Sequence, residues 1–274
     1  MYDLKKLRPI RMDDLIRIGR NADGGYILSR RQIAQTEVLL SFGINEDWSF
    51  EKAFLAKKKV ACFAFDYSVS AEIFATRSAE HLLLMLFYLL KCNIPKARFH
   101  GGRWRNLRRK SKDFKRFFHA GNGSRFVRKF LGEEDSDRFI RFDTIFNAGE
   151  SDAGNGSVFI KMDIENWEYR TLPQLLPFFD KINGMVIEFH LLDIAEKKFE
   201  EIINLLSPRF FIAHVHANNA GGYIHRSNLP VLLEITFINK ALVACPEPSI
   251  LHYPVEGLDF PNIAAKEDIP LEFD

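Results

Sequence analysis

Four acids and imidazoles that follow short apolar runs, Asp163, Glu165, Glu188 and His190, are joined by His214 and His216 further along. Side chains of these types can move a proton or hold a cation. Imidazole titrates near neutral pH and can take a proton from a hydroxyl group. Carboxylates mixed with imidazoles make a seat for a divalent cation, one that suits Mg²⁺ poorly at the imidazoles and suits Mn²⁺, Fe²⁺ or Zn²⁺ better. In Glu188-Phe189-His190 and in His214-Val215-His216 the polar residues stand two apart, so strand alternation puts each pair on one side. Asp163, Glu188 and His190 are the first choice as cation ligands, with His214 or His216 as the base. For any one of these residues taken alone, a satisfied buried hydrogen bond is the plainer explanation.

A second constellation pairs a glycine with an acid. Gly43 follows one apolar run and Asp66 follows the next, about one βαβ step apart. An adenosyl ligand needs a tight turn after the first strand, where the backbone comes close, and an acid after the second to accept ribose hydroxyls. The residues from Gly43 onward read Gly-Ile-Asn-Glu-Asp-Trp rather than G-x-G-x-x-G, which disfavours a nicotinamide or flavin enzyme.

The elements that must position these residues are short β-rich runs at 37–42, 60–65, 158–162, 185–189, 210–215 and 232–238. Most are continuous rather than alternating in hydrophobicity, as in strands covered on both faces of a mainly parallel sheet. The pattern predicts a doubly wound α/β domain, whose ligands gather at the carboxyl ends of the strands.

Residues 96–129 interrupt the alternation. They carry thirteen Lys or Arg and a single acid, Asp113. Trp104, Leu107, Phe114, Phe117 and Phe118 suit one face of a helix, with the basic residues on the other. Such a stretch is either a solvated face or a patch for phosphate-bearing partners such as a nucleotide-sugar, a lipid-linked glycan or an anionic membrane, so peripheral membrane contact stays open. No nucleic-acid-binding motif accompanies it, and no nucleic acid partner is expected.

Composition sets the frame. With 274 residues, 47% hydrophobic, and a net charge of +2, the chain is expected to form one domain over 1–274 with a basic helical insert at about 96–129. Cys62, Cys92 and Cys245 stand far apart without metal or redox spacing, which fits a reducing compartment. The first fifteen residues lack the apolar core of a signal peptide. The longest apolar run, 82–90, is about half of a membrane span and predicts a buried helix. A soluble, cytoplasmic protein without a transmembrane segment is expected, and a homo-oligomer stays open.

Three stretches carry a family resemblance. VLLSFGINEDWSFEKAF resembles the first motif of FkbM-like class I S-adenosylmethionine-dependent methyltransferases, G-x-N-x-G: Gly43 and Asn45 match, and Asp47 stands at the last glycine. FIKMDIENWEY is similar to their K-x-D-x-E-G-x-E motif: Lys161, Asp163, Glu165 and Glu168 match, with Asn166 at the glycine. RIGRNADGGYIL resembles the R-x-G-x-x-x-D-G-G-Y-V stretch of a sugar-associated branch.

The resemblance implies a Rossmann-like, mainly parallel seven-stranded sheet with helices on both faces and one antiparallel strand near the C-terminus. It implies S-adenosylmethionine as cofactor, contacted by Asp23, Gly25, Tyr26, Ser41, Gly43, Asn45, Asp47, Asp66 and Asp163, and O-methylation of a hydroxyl. The acceptor it implies is a sugar, as in a nucleotide-sugar or the precursor of a surface polysaccharide. His190, His214, His216 and Glu165 are then the catalytic candidates, with or without a divalent cation (Mn, Fe, Mg or Zn). Asn218 and Asn219, before Gly221-Gly222, either bind sugar hydroxyls or make a turn, and Trp167 either stacks on a ligand or fills core. Two rivals use the same residues: a metal-dependent hydrolase built on the Asp/Glu/His cluster, and a non-catalytic glycan-binding relic.

Overall fold

The computed structural model describes residues 2–119, 123–147, 156–224 and 229–273. The elements run in the order β1 (Leu15–Ile18), β2 (Tyr26–Ser29), α1 (Arg30–Gln35), β3 (Val38–Phe42), α2 (Ser49–Lys57), β4 (Ala61–Phe65), α3 (Ala71–Leu90), α4 (Ile94–His119), β5 (Ser124–Val127), β6 (Phe130–Leu131), β7 (Phe139–Ile140), α5 (Phe142–Asn147), β8 (Val158–Met162), α6 (Glu168–Thr171), β9 (Ile182–Phe189), α7 (Leu192–Leu206), β10 (Phe210–Ala217), β11 (Tyr223–Ile224), β12 (Leu229–Pro230) and β13 (Leu233–Asn239).

Seven strands form the main sheet in the order β10-β13-β9-β8-β3-β4-β5, and β13 alone is antiparallel to its neighbours. This is the Rossmann-like arrangement that the sequence predicts. The continuous apolar runs are explained by burial on both faces: Leu39 and Phe159 feed one hydrophobic cluster, Leu40 and Ile160 the other. In α7, Leu192, Phe199, Ile202, Ile203 and Leu206 form the buried stripe that holds it on the sheet.

Two expectations are corrected. The seventh strand, β5, lies inside the basic stretch, so residues 96–129 are a helix followed by an edge strand, with 120–122 outside the described residues. Ser124–Val127 is too short, and too polar at Arg125, to stand out by pattern. The apolar run at 82–90 is not a buried helix. It is the outer half of the twenty-residue α3, and Leu83, Leu86, Phe87 and Leu90 are exposed. By length and composition α3 could cross a membrane. Its apolar residues encircle the helix, and α4 covers only one side.

Candidate functional site

Strand order reverses between β3 and β8, the place where open α/β sheets leave a crevice at their carboxyl ends. The two turns meet there. Gly43 has φ +74, and a Cβ on it would collide with the carbonyl oxygen of Asp163. The Asp163 N–H donates to the Phe42 carbonyl at 3.1 Å, and the buried Lys161 ammonium donates to the Gly43 carbonyl at 2.7 Å. Lys161 thus ties the two turns together. Asn45, Glu165 and Asn166 all adopt positive φ (44, 53 and 76). Asparagine tolerates this left-handed region better than most residues, which accounts for Asn166 where the resembled pattern has glycine.

A cavity of about 380 Å³ opens beside these turns, lined by Gly43, Asn45, Phe65, Asp66, Ser68, Phe130, Leu131, Phe139, Asp163, Ile164, Glu165 and Trp167. The Asp66 carboxylate is held from below: it accepts the Asn45 N–H at 2.8 Å and the Ser68 N–H and hydroxyl at 2.7 and 2.6 Å. Trp167 and Phe139 face each other with ring centroids 5.4 Å apart. Aromatic walls with one fixed acid suit a flat heterocycle joined to a sugar diol. Phe130, Leu131 and Phe139 escape the sequence reading because they come from the two-residue strands β6 and β7, too short to show a period.

A second cavity, about 420 Å³, shares Asn45, Asp163 and Glu165 with the first and adds Asp23, Glu188, His190, Asn218 and Asn262, among others. Its focus is the buried His190. The Nε2 atom lies 3.6 Å from Asp163, 3.7 Å from Glu165 and 3.9 Å from Glu188. Behind the ring, the fully buried Glu168 accepts the His190 backbone N–H at 2.7 Å, and Tyr169 donates its hydroxyl to the His190 carbonyl at 2.7 Å. Burial pushes the imidazole down, but the Glu168, Asp163 and Glu165 carboxylates outweigh it and hold the pKa above 6.5. At Glu188 burial and the neighbouring acids act together: burial, with Asp163 and Glu234 nearby, raises its carboxyl well above the usual range, and Asn218 donates to it at 2.8 Å.

Two groups of potential cation ligands lie close together among the described residues. Asp163, Glu165 and His190 form one, with ligand atoms within 4.8 Å of one another; Asp23, Glu188 and Glu234 form the other. Glu165 therefore stands in the group where the sequence placed Glu188.

The remaining sequence candidates divide sharply. His214 and His216 do not line this cleft but are held against acids. His214 Nε2 lies 2.9 Å from Asp259, and His216 is held between Glu234 at 3.2 Å and Asp268 at 3.1 Å. Burial opposes the His216 charge, yet Asp268 and Glu234 raise its pKa to about 10, so it is an imidazolium at neutral pH and cannot accept a proton. Ser41 is buried beneath the turn and donates to Glu51. Asp47 pairs with Arg20 at 2.9 Å and accepts the Ser49 N–H at 3.0 Å. With Asp23 and Tyr26 it lines a smaller cavity of about 250 Å³ that also touches Gly43, Asn45, Lys161 and Asp163. Gly25 is packed against Arg17, whose guanidinium donates to the carbonyls of Arg20, Ala22 and Leu258 and so shapes the 19–25 loop. Asn219 is engaged by the C-terminal segment: its amide donates to the Ile263 and Lys266 carbonyls and its oxygen accepts the Ile263 N–H.

No protein-family model matches the chain, and no curated protein matches it. Among solved structures it is similar to the fibrillarin pre-rRNA processing protein of Methanococcus jannaschii, at 10% identity and a TM-score of 0.34, over 76% of this chain and 68% of that one. It is also similar to a chain of a fibrillarin/Nop5p complex, at 10% identity and a TM-score of 0.34, over 85% of this chain and 98% of the other.

Proposed function

We propose that this chain is an S-adenosylmethionine-dependent O-methyltransferase acting on a sugar hydroxyl, as in a nucleotide-sugar or a surface-glycan precursor. The observation that carries the reading is the junction of two cavities at Asp163. One has aromatic walls and a fixed acid, Asp66; the other is polar and centred on His190. A donor site and an acceptor site must share a wall for a methyl group to pass between them.

When bound, the cofactor supplies an electrophilic methyl group on a sulfonium. The protein's work is alignment and proton handling. Asp66 accepts the ribose hydroxyls in this reading, and Trp167 with Phe139 covers the adenine; all three line the same cavity. Asn218 and Asn262 can orient acceptor hydroxyls, and the buried Oδ1 of Asn262 has no hydrogen-bond partner among the described residues. His190 Nε2 is the group that takes the acceptor's proton, and Glu168 holds its main chain and stands beside its ring.

A second reading is favoured by the close approach of Asp163, Glu165 and His190. These three would hold a divalent cation, Mn²⁺, Fe²⁺ or Zn²⁺ by their donor set, and the cation would lower the pKa of the acceptor hydroxyl.

Isothermal titration of chelator-treated protein with S-adenosylhomocysteine tests the proposal. Saturable binding that Asp66→Ala abolishes supports it, and turnover restored by Mn²⁺ would favour the cation reading. No binding with or without Mn²⁺ overturns it and leaves the metal hydrolase and the glycan-binding relic as the readings to pursue.

A further inference from the structure

We propose that the α3/α4 hairpin docks this protein on an anionic membrane surface, by inserting its apolar tip among the lipids. This inference is independent of the methyl-transfer reading.

The hairpin begins beside the candidate site. α3 starts just after Asp66, and the base is tied to the turn after β3: Glu46 pairs with Lys110 at 2.8 Å and Arg77 at 3.5 Å. The last turns of α4 cover the sheet, with Phe114 and Phe118 against Phe126. Outward from there, among the described residues, the main contacts of the two helices are with each other. Ser78 donates to the Trp104 carbonyl at 3.1 Å, and Tyr88 stacks on His100 with centroids 5.3 Å apart.

Those contacts use one face of α3. On the opposite face Leu83, Leu86, Phe87 and Leu90 stand at i, i+3, i+4 and i+7, and their exposures are 66, 46, 50 and 84%. Ile94 and Phe99 on α4 extend the patch, at 45 and 64%. Of the fifteen exposed large hydrophobic side chains among the described residues, eight fall within residues 83–99. Such concentration marks an interaction surface rather than ordinary surface scatter.

Charge selects the occupant. Between Glu80 and Asp113 the chain has nine Lys or Arg and no acid, and Lys91, Lys96, Arg98 and Arg105 are exposed around the apolar tip. Apolar residues ringed by flexible cations fit an interface of acyl chains under anionic headgroups. A second copy meeting the patch with its own would bring like charges together. Insertion is shallow. Ala71, Phe74 and Ser78 are buried, so only the outer turns of α3 are available, and residues 83–90 span about 12 Å of helix against about 30 Å of bilayer hydrocarbon.

The test is co-sedimentation of the full chain with vesicles of phosphatidylcholine alone and of phosphatidylcholine mixed with phosphatidylglycerol. Expected is binding to the mixed vesicles that is about tenfold or more stronger than to the neutral ones and that weakens in high salt. Leu83→Glu with Phe87→Glu should remove binding, and Lys96→Glu with Arg98→Glu and Arg105→Glu should remove the anionic preference. All five positions are exposed, and unchanged circular dichroism would establish that these variants fold. Failure of the wild-type chain to bind either vesicle overturns the proposal. So does a wild-type oligomer, seen by light scattering, that ignores vesicles and that Leu83→Glu with Phe87→Glu turns into a monomer; the patch would then belong to a second copy.

Discussion

The Glu168 carboxylate, fully buried, accepts the backbone N–H of His190 at 2.7 Å and stands 3.4 Å from the Nδ1 of the same residue. One acid therefore holds the main chain of the candidate base and sets a negative charge beside its ring. It also keeps the proton on that ring to higher pH, because burial alone would lower the imidazole pKa.

Replacing Glu168 by Gln keeps an oxygen for the backbone N–H and removes the charge. The acid limb of the kcat/KM profile, expected above pH 6.5 in the wild type, should shift to lower pH, with activity reduced about 10–100-fold. His190→Ala should cost about 100-fold or more in kcat while S-adenosylhomocysteine affinity holds. A Glu168→Gln profile with its limb unmoved would detach Glu168 from the base.

Gly43 sits where no side chain fits. Gly43→Ala must meet both a positive φ and the Asp163 carbonyl, so it should lower Tm by several degrees and abolish cofactor-analogue binding. Asn166→Gly, at φ 76 with no such crowding, should leave both within error or slightly improved. Thermal melts with and without S-adenosylhomocysteine read both effects.

Trp167→Ala opens the aromatic wall of the cofactor cavity. Loss of one stacking face should weaken S-adenosylhomocysteine about tenfold, corresponding to about 1.4 kcal/mol, and leave Tm little changed because the ring is only half-buried. Calorimetry that gives an unchanged Kd would place the adenine elsewhere.

His216 should make stability depend on pH. Its pKa rises from 6.5 to about 10 on folding, so its contribution is complete below 6.5 and is lost as pH climbs through about 10. Tm of the wild type should fall across that window more steeply than Tm of His216→Gln. At pH 6 the variant should be less stable by about 3–5 kcal/mol, since Glu234 and Asp268 lose the imidazolium that lies between them. Methyl transfer, where measurable at that pH, should survive.

Much of the fold was legible beforehand for a simple reason. Strands covered on both faces must be apolar throughout, so the runs ending at Phe42, Phe65, Met162 and Phe189 announce themselves, and the polar residues after them fall at the sheet's carboxyl edge. Gly43, Asp66, Asp163, Glu165 and His190 are legible this way, because each lies within a few residues of a strand end.

What the order of residues could not decide was which imidazole faces a cavity and which is already held. His190, His214 and His216 look alike in local context. His214 and His216 are captured by Asp259 and Asp268, 45 and 52 residues further on, in a C-terminal segment without periodicity. The same holds for α3, whose apolar outer turns imply burial until packing leaves one face uncovered. Periodicity reports what a single element prefers to bury. Long-range partners set the charge state of a buried imidazole and the fate of an apolar face, and they exist only once the chain has folded.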